Sequence, residues 1–142
     1  MRNLCGWTLW MAMAVAVASP ALAQPSVVGN WKRISHTIEH EGQKIETQSA
    51  LLQQRPCAAK ILFRIGADGN FRLDASQAGC DDKYRNIQER LYSKTRWRVQ
   101  GDRITTSATD FAVGQTYVFS LSGDKMTWTG TEGQGVIVYQ RQ

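Results

Sequence analysis

The sequence predicts an all-β domain, a small antiparallel up-and-down barrel of eight to ten strands with one disulfide. Short segments rich in β-branched and aromatic residues alternate apolar with polar side chains, and tight turns separate them. Apolar residues almost nowhere recur at helical spacing. Strands in meander order can close on themselves and so remove both sheet edges. A two-sheet sandwich is the competing shape.

Residues 1–23 have the pattern of a secretory signal peptide. Arg2 supplies the positive start, residues 11–19 form an apolar run too short to span a bilayer, and Ala21-Leu22-Ala23 is a small-x-small cleavage site. We expect cleavage after Ala23, a periplasmic or secreted protein, a barrel domain over 24–142 and no transmembrane segment. Export to an oxidising compartment disfavours nucleic acid as a partner.

The mature domain is expected to be mildly basic. The leader holds one arginine and no acidic residue, so the net charge of +5 becomes +4 after cleavage. That balance favours anionic partners only weakly.

Nine segments are predicted strands, and their side chains alternate between two faces. In 60–65, for example, Ile61, Phe63 and Ile65 oppose Lys60 and Arg64, as in a sheet with one buried face. Turns at 66–70, 101–102 and 122–124 predict antiparallel neighbours. The predicted strands are 30–38, 43–50, 60–65, 70–75, 91–100, 103–108, 115–121, 125–131 and 136–140.

Two segments do not follow the strand pattern. Residues 51–59 fit a turn or a helical turn over one barrel end, and the polar residues 81–90 fit a helix or a lid.

Two cysteines remain in the mature chain, because Cys5 lies in the leader ahead of its apolar run. Cys57 and Cys80 are too few for a four-thiolate zinc site, and neither lies in a C-x-x-C motif. We expect one structural bridge, which contributes about 3 kcal/mol by constraining the unfolded chain. Two separate buried thiols are the alternative.

The order of these features resembles the small bacterial lipocalin-like family. Val28-Gly29-Asn30-Trp31-Lys32 opens the domain, and Cys57 precedes a strand, a Gly-Ala-Asp-Gly-Asn-Phe turn, a second strand and Cys80. Gly29-Asn30-Trp31 matches the Gly-x-Trp of larger lipocalins, where the tryptophan plugs the closed end of the barrel. The resemblance implies a barrel with a pocket at one mouth.

The chain also resembles, more loosely, the periplasmic inhibitors of secreted metalloproteases. These are disulfide-bearing barrels whose sequences also begin with Gly-x-Trp. Their first cysteine follows the tryptophan closely, whereas 26 positions separate Trp31 from Cys57 here. Those inhibitors act through an exposed N-terminal arm, for which residues 24–28 are the candidate. This interpretation implies an envelope protein or a protease as partner.

Five aromatic residues are candidates for a ligand pocket, since the strand pattern points them inward. They would bind a small apolar or amphipathic molecule at the barrel mouth. In a barrel of this size inward side chains can also simply fill the interior. The five are Phe63, Phe71, Trp97, Tyr117 and Trp128.

A cationic stripe is predicted on one face of an extended strand near residues 90–98. It would contact a lipid headgroup, a lipopolysaccharide or an acidic glycan. The alternative is a solvated outer face that discourages edge pairing. The cations are Arg90, Lys94, Arg96 and Arg98, with Tyr92 among them.

His36-Thr37-Ile38-Glu39-His40 has the lettering of an inverted zinc-protease motif. That chemistry needs both imidazoles on one helical face with a positioned glutamate, but the flanks here are strand-like, which turns Glu39 away from the histidines. Nucleophile elbows, phosphate loops and dinucleotide fingerprints are also absent from the sequence. We therefore expect no catalysis, metal or cofactor, with metal-dependent activity at His36 and His40 as the minor alternative.

Overall fold

Nine strands of this chain join one antiparallel sheet. The structure is a computed structural model that describes residues 26–142, so the predicted signal peptide lies outside the described residues. The strands are β1 (Gly29–His40), β2 (Gln43–Glu46), β3 (Leu62–Ile65), β4 (Phe71–Asp74), β5 (Arg96–Gln100), β6 (Arg103–Ser107), β7 (Gln115–Ser122), β8 (Lys125–Gly130) and β9 (Val136–Arg141).

The sheet closes into a barrel. Its order is β4-β3-β1-β9-β8-β7-β6-β5, with β2 attached to β1 off this path. The two outermost strands meet where Phe71 N donates to Thr95 O at 2.9 Å and Trp97 N donates to Gly69 O at 3.0 Å. Only this corner is bonded, so the barrel is nearly closed. The predicted antiparallel barrel is confirmed.

The predicted strand 43–50 is wrong in its second half. β2 ends at Glu46, and the helix α1 (Thr47–Gln54) begins at once. The Glu46 carboxylate accepts hydrogen bonds from Gln48 N at 2.9 Å and Ser49 N at 2.7 Å, and so caps the helix. A strand pattern does not reveal this switch, because it depends on a side chain bonding the next turn.

The predicted strand 91–100 is wrong in its first half. Leu91 is the last residue of the helix α2 (Asp82–Leu91), and β5 begins only at Arg96. The Asp81 carboxylate accepts from Tyr84 N at 2.9 Å and caps this helix. Of the two interpretations of 81–90, the helix is confirmed. Residues 51–59 hold the end of α1 and most of a short 3-10 helix, Pro56–Lys60.

The barrel has a closed lower end, where β1 begins. Trp31 is fully buried there, and its Nε1 donates to Val27 O at 2.9 Å. The Arg141 guanidinium lies 4.2 Å from the centre of the Trp31 ring system and donates to Val28 O at 3.0 Å and to Ser26 O at 2.6 Å. The tryptophan thus plugs this end.

Helices cover the upper end, whereas a single tryptophan side chain fills the lower end. α1, the 3-10 helix Pro56–Lys60 and α2 lie at the upper end, and the predicted Cys57–Cys80 bridge is confirmed, with a Cα–Cα distance of 5.3 Å. The bridge ties the 3-10 helix to the chain just before α2. A disulfide is compatible with export to an oxidising compartment. In the part of the chain that the structure describes, no helix has the length and apolar composition needed to cross a membrane.

Candidate functional site

A cavity of about 30 Å³ lies at the upper end, between the barrel wall and the two helices. It is partly open to solvent and has room for about two water molecules. Polar and apolar side chains share its lining. They are Arg33, Gln48, Leu51, Ala58, Ile61, Phe63, Leu73, Tyr84 and Gln88.

Arg33 lines this cavity from β1, two residues after the buried Trp31 and just before a bulge between Arg33 and Ser35. Directly opposed residues on paired strands point to the same face, and Arg33 is opposed to the buried Tyr139 of β9. The Arg33 side chain therefore points into the barrel. Its guanidinium carbon lies 5.5 Å from the centre of the Phe63 ring, and its Nε donates to Gln48 Oε1 at 2.8 Å.

Gln48 is the buried residue of α1, and it is only 3 % exposed. Its side-chain oxygen holds the Arg33 Nε, so α1 is fastened to the barrel wall by an amide rather than by a carboxylate. In the part of the chain that the structure describes, Arg33 forms no salt bridge. The positive charge at the cavity is thus not neutralised by an acidic side chain.

Neutral phenols surround this charge. Burial strongly raises the pKa of Tyr139, and Arg33 opposes the rise. Burial also raises the pKa of Tyr117, with Tyr92 adding to the shift and Arg33 again opposing it. Tyr117 and Tyr139 therefore stay protonated in the barrel, where each hydroxyl can donate a hydrogen bond.

Trp128 lies in the same aromatic cluster, 5.0 Å from Tyr139 and 5.1 Å from Tyr117 between ring centres. It is 2 % exposed, and its Nε1 has no hydrogen-bond partner among residues 26–142. A buried N–H without an acceptor costs about 1–3 kcal/mol. Trp128 Nε1 is therefore an unsatisfied donor in the barrel interior, whereas the half-buried Arg33 guanidinium has a hydrogen bond to Gln48.

The five predicted pocket aromatics mostly pack against one another. Phe63, Phe71, Tyr117 and Trp128 are buried, and only Phe63 lines the cavity. Trp97 is half-buried, and its Nε1 donates to Gly66 O at 2.8 Å. The inward orientation of the four buried residues agrees with the sequence pattern, but they are part of the packed core.

The predicted cationic stripe does not lie on one strand, so that placement is wrong. Arg90 belongs to α2, Lys94 lies in the turn after it, and only Arg96 and Arg98 are in β5. Arg96 donates to Asp68 O at 3.2 Å, and the Arg98 guanidinium carbon lies 4.8 Å from the centre of the Phe111 ring. These two cations support local structure, and contact with anions stays a prediction.

The histidine motif spans two environments. The His36 Nε2 is 2.9 Å from Gln134 O, to which it can donate, whereas the His40 side chain is 70 % exposed. Glu39 is opposed to Lys44 on the β1–β2 hairpin. Within residues 26–142 no three His, Cys, Asp or Glu side chains are placed to hold a metal ion. The absence of a metal stays a prediction.

A larger groove of about 390 Å³ lies outside the barrel, along the β1–β2 hairpin and the start of β9. Its lining combines backbone, two apolar side chains and one residue of each charge. The lining residues are Thr37, Ile38, Glu39, Lys44, Gly135 and Val136. The groove shares no lining residue with the upper cavity.

Sequence reasoning missed Arg33 and Gln48. A strict two-residue alternation from Trp31 places Arg33 on the inner face, but a charged residue is ordinarily assigned to solvent. Gln48 fell within a predicted strand that is in fact helix. The signal that could have found Arg33 is its register with Trp31.

Comparison with protein-family models, with curated proteins and with solved structures gave no match for this chain. The site must therefore be interpreted from its own geometry.

Proposed function

We propose that this protein is an exported binding protein that holds a small apolar or amphipathic molecule at the upper end of its barrel. The observation that carries the proposal is the cavity beneath α1 and α2, which combines an apolar wall with a few convergent polar groups. The resemblance to the small bacterial lipocalin-like family supports it. The leader-like residues 1–23 and the disulfide support action in the periplasm or outside the cell.

Entry of a molecule larger than water requires a movable wall, and α2 is the candidate. None of its residues is buried, and Ile87 and Leu91 are 49 % and 64 % exposed. Its anchors are mainly polar: Glu89 accepts from Ala75 N at 3.1 Å, and Asp81 accepts from Arg55 at 3.0 Å. An element with few buried apolar contacts opens at low cost.

The competing function is protein binding through an N-terminal arm. Ser26 and Val28 offer their carbonyl oxygens to Arg141, and Val27 is only 6 % exposed. The described part of the predicted arm is thus fastened to the barrel, which favours the small-molecule interpretation. Gln24 lies outside the described residues.

The test is titration of the protein with 1-decanol, followed by amide chemical shifts. We expect saturable shifts in α1, α2 and the cavity wall. Ala58→Leu fills the cavity and should weaken binding at least about tenfold, the cost of an overlap of about 1–3 kcal/mol. Ala112→Leu adds the same side chain at an exposed site in the other short 3-10 helix, Phe111–Val113, and should leave binding unchanged.

Shifts confined to the outer groove, or equal binding by both variants, would contradict the proposal. If Ala58→Leu does not fold, Gln88→Phe blocks the same cavity from a half-exposed position on α2.

A further inference from the structure

We infer that the molecule bound at the upper cavity carries a carboxylate, and that the Arg33 guanidinium binds it. This inference rests on the proposed function and specifies the chemistry of the ligand at that same site. It is carried by a cation that points into the barrel without an anionic partner.

A positive charge in a protein interior is normally paired with an acidic group, because an unpaired one loses hydration without compensation. Within residues 26–142, Arg55, Arg64 and Arg85 each form a salt bridge with an aspartate, and Arg64 and Arg85 are half-buried as Arg33 is. Arg33 instead has the neutral amide of Gln48. An anionic ligand would supply the missing charge.

The free part of the guanidinium determines which anion fits. Nε is already bonded to Gln48, which leaves the edge formed by Nη1 and Nη2. Two parallel N–H groups match the two oxygens of a carboxylate in a planar, bidentate arrangement. One carboxylate also balances one guanidinium charge, whereas a phosphate monoester would bring a second charge that no other cation of the lining neutralises.

Neighbouring groups can complete the anion site. The Gln48 and Gln88 side chains line the cavity and carry N–H donors. No acidic residue lines the cavity to repel an anion.

The remaining lining accounts for the apolar part of the ligand. Leu51, Ala58, Ile61 and Leu73 form an apolar wall beside the arginine. The carboxylate would occupy the present cavity, and the apolar chain would follow this wall toward α2. A monocarboxylate with an unbranched apolar chain fits both surfaces.

The test compares decanoate, 1-decanol and decylamine, which share a chain and differ in head-group charge. We expect decanoate to bind about tenfold or more tightly than 1-decanol, as a charge-assisted hydrogen-bonded pair predicts. Decylamine should bind more weakly than either. Arg33→Gln should abolish the preference, so that decanoate and 1-decanol bind this variant equally.

Lys32→Gln is the matched control, because it removes the same charge one residue away on the outer face of β1. It should leave the preference intact. Arg33→Lys keeps the charge but loses the bidentate edge, so its preference should fall between those of the wild type and Arg33→Gln.

A measurement on the wild type tests the contact directly. The carboxyl group of bound decanoate is followed through a ¹³C label at its carboxyl carbon. It should stay ionised to a lower pH than the carboxyl group of free decanoate, because Arg33 favours the charged form. This readout also holds if Arg33→Gln does not fold.

The outcomes separate the two proposals. Equal binding of decanoate and 1-decanol would overturn the carboxylate inference and leave the proposed function standing. A preference that survives in Arg33→Gln, or a bound carboxyl that titrates like the free acid, would also overturn it. Binding of none of the three probes would remove the proposed function and this inference with it.

Discussion

Two arginines of this barrel show how its ends differ. Both face an aromatic ring, Arg141 at 4.2 Å from Trp31 in the lower end and Arg33 at 5.5 Å from Phe63 in the upper end. Arg141 donates to two backbone carbonyls, whereas the hydrogen bond of Arg33 goes to the side chain of Gln48.

The difference lies in what the partner can do. A backbone carbonyl is fixed by the fold, so the Arg141 contacts act as permanent structure. The Gln48 side chain belongs to a helix that lies over the barrel, and a side-chain amide can rotate to accommodate another group. The lower end is therefore held by fixed backbone contacts, whereas the upper end is held by a side-chain contact that can rearrange.

The largest predicted effect is at the lower end. Trp31→Ala removes the fully buried plug and should lower the free energy of unfolding by about 3–5 kcal/mol, the range for deleting a large core aromatic. Urea denaturation followed by circular dichroism measures it. A loss below about 1 kcal/mol, small against that range, would mean that the lower end does not carry the stability of the barrel.

The second largest effect concerns the disulfide at the upper end. The double substitution Cys57→Ala and Cys80→Ala should lower the free energy of unfolding by about 3 kcal/mol, because the unfolded chain regains the entropy that the bridge removes. The same variant should increase amide hydrogen exchange in α2 more than in β8 and β9. Equal increases in both regions would contradict an upper end that opens independently.

The strand pattern predicted the barrel because its information is local. Ile61, Phe63 and Ile65 alternate with polar neighbours, and all three are buried. Cys57 and Cys80 likewise predicted their own bridge, since the third cysteine, Cys5, lies in the predicted leader. Features of this kind depend on residue type and spacing alone.

The upper end could not be predicted in the same way. α1 and α2 depend on capping by Glu46 and Asp81, which compete with extended structure through bonds to the following turn. The inward position of Arg33 follows from its alternation with Trp31, but the Gln48 side chain that it bonds comes from a helix that the strand pattern does not show. Contacts of α1 and α2 with the barrel form the cavity, and a single sequence does not display contacts between distant segments.

The two arginines give the most direct comparison, since the same substitution can be made at both. Arg141→Met should lower the free energy of unfolding by about 2 kcal/mol, because it leaves the part-buried Val28 carbonyl without its charged donor and removes the cation over Trp31. Arg33→Met should lower it by only about 1 kcal/mol, because the loss of the hydrogen bond to Gln48 is partly offset by removal of a half-buried charge with no ionic partner. Thermal and urea unfolding of both variants measure the pair.

The opposite order would show that Arg33 is structural. A loss of 2 kcal/mol or more in Arg33→Met, about as large as breaking a charged hydrogen bond, would assign it the role that Arg141 has here.

The smallest predicted effect concerns the attachment of α1. Hydrogen bonds from the Ser49 side chain and from the His36 backbone amide are the largest causes that lower the pKa of Glu46 from 4.5 to about 2. Because the pKa is depressed in the folded state, this stabilisation is present above pH 4.5 and is lost as the pH falls toward 2. Glu46→Ala should cost about 1 kcal/mol at neutral pH, as for the loss of a helix cap.

The difference in unfolding free energy between wild type and Glu46→Ala should therefore shrink as the pH falls through this window. Thr109→Ala is the control, at an exposed site in the loop after β6, and its difference from wild type should not change with pH. Urea denaturation at pH 7, 5, 4 and 3 measures it. A difference that stays constant with pH would mean that the Glu46 charge does not hold α1. The attachment of α1 to the barrel would then depend on the hydrogen bonds from Thr47 Oγ1 to His36 O and from Arg33 Nε to Gln48 Oε1.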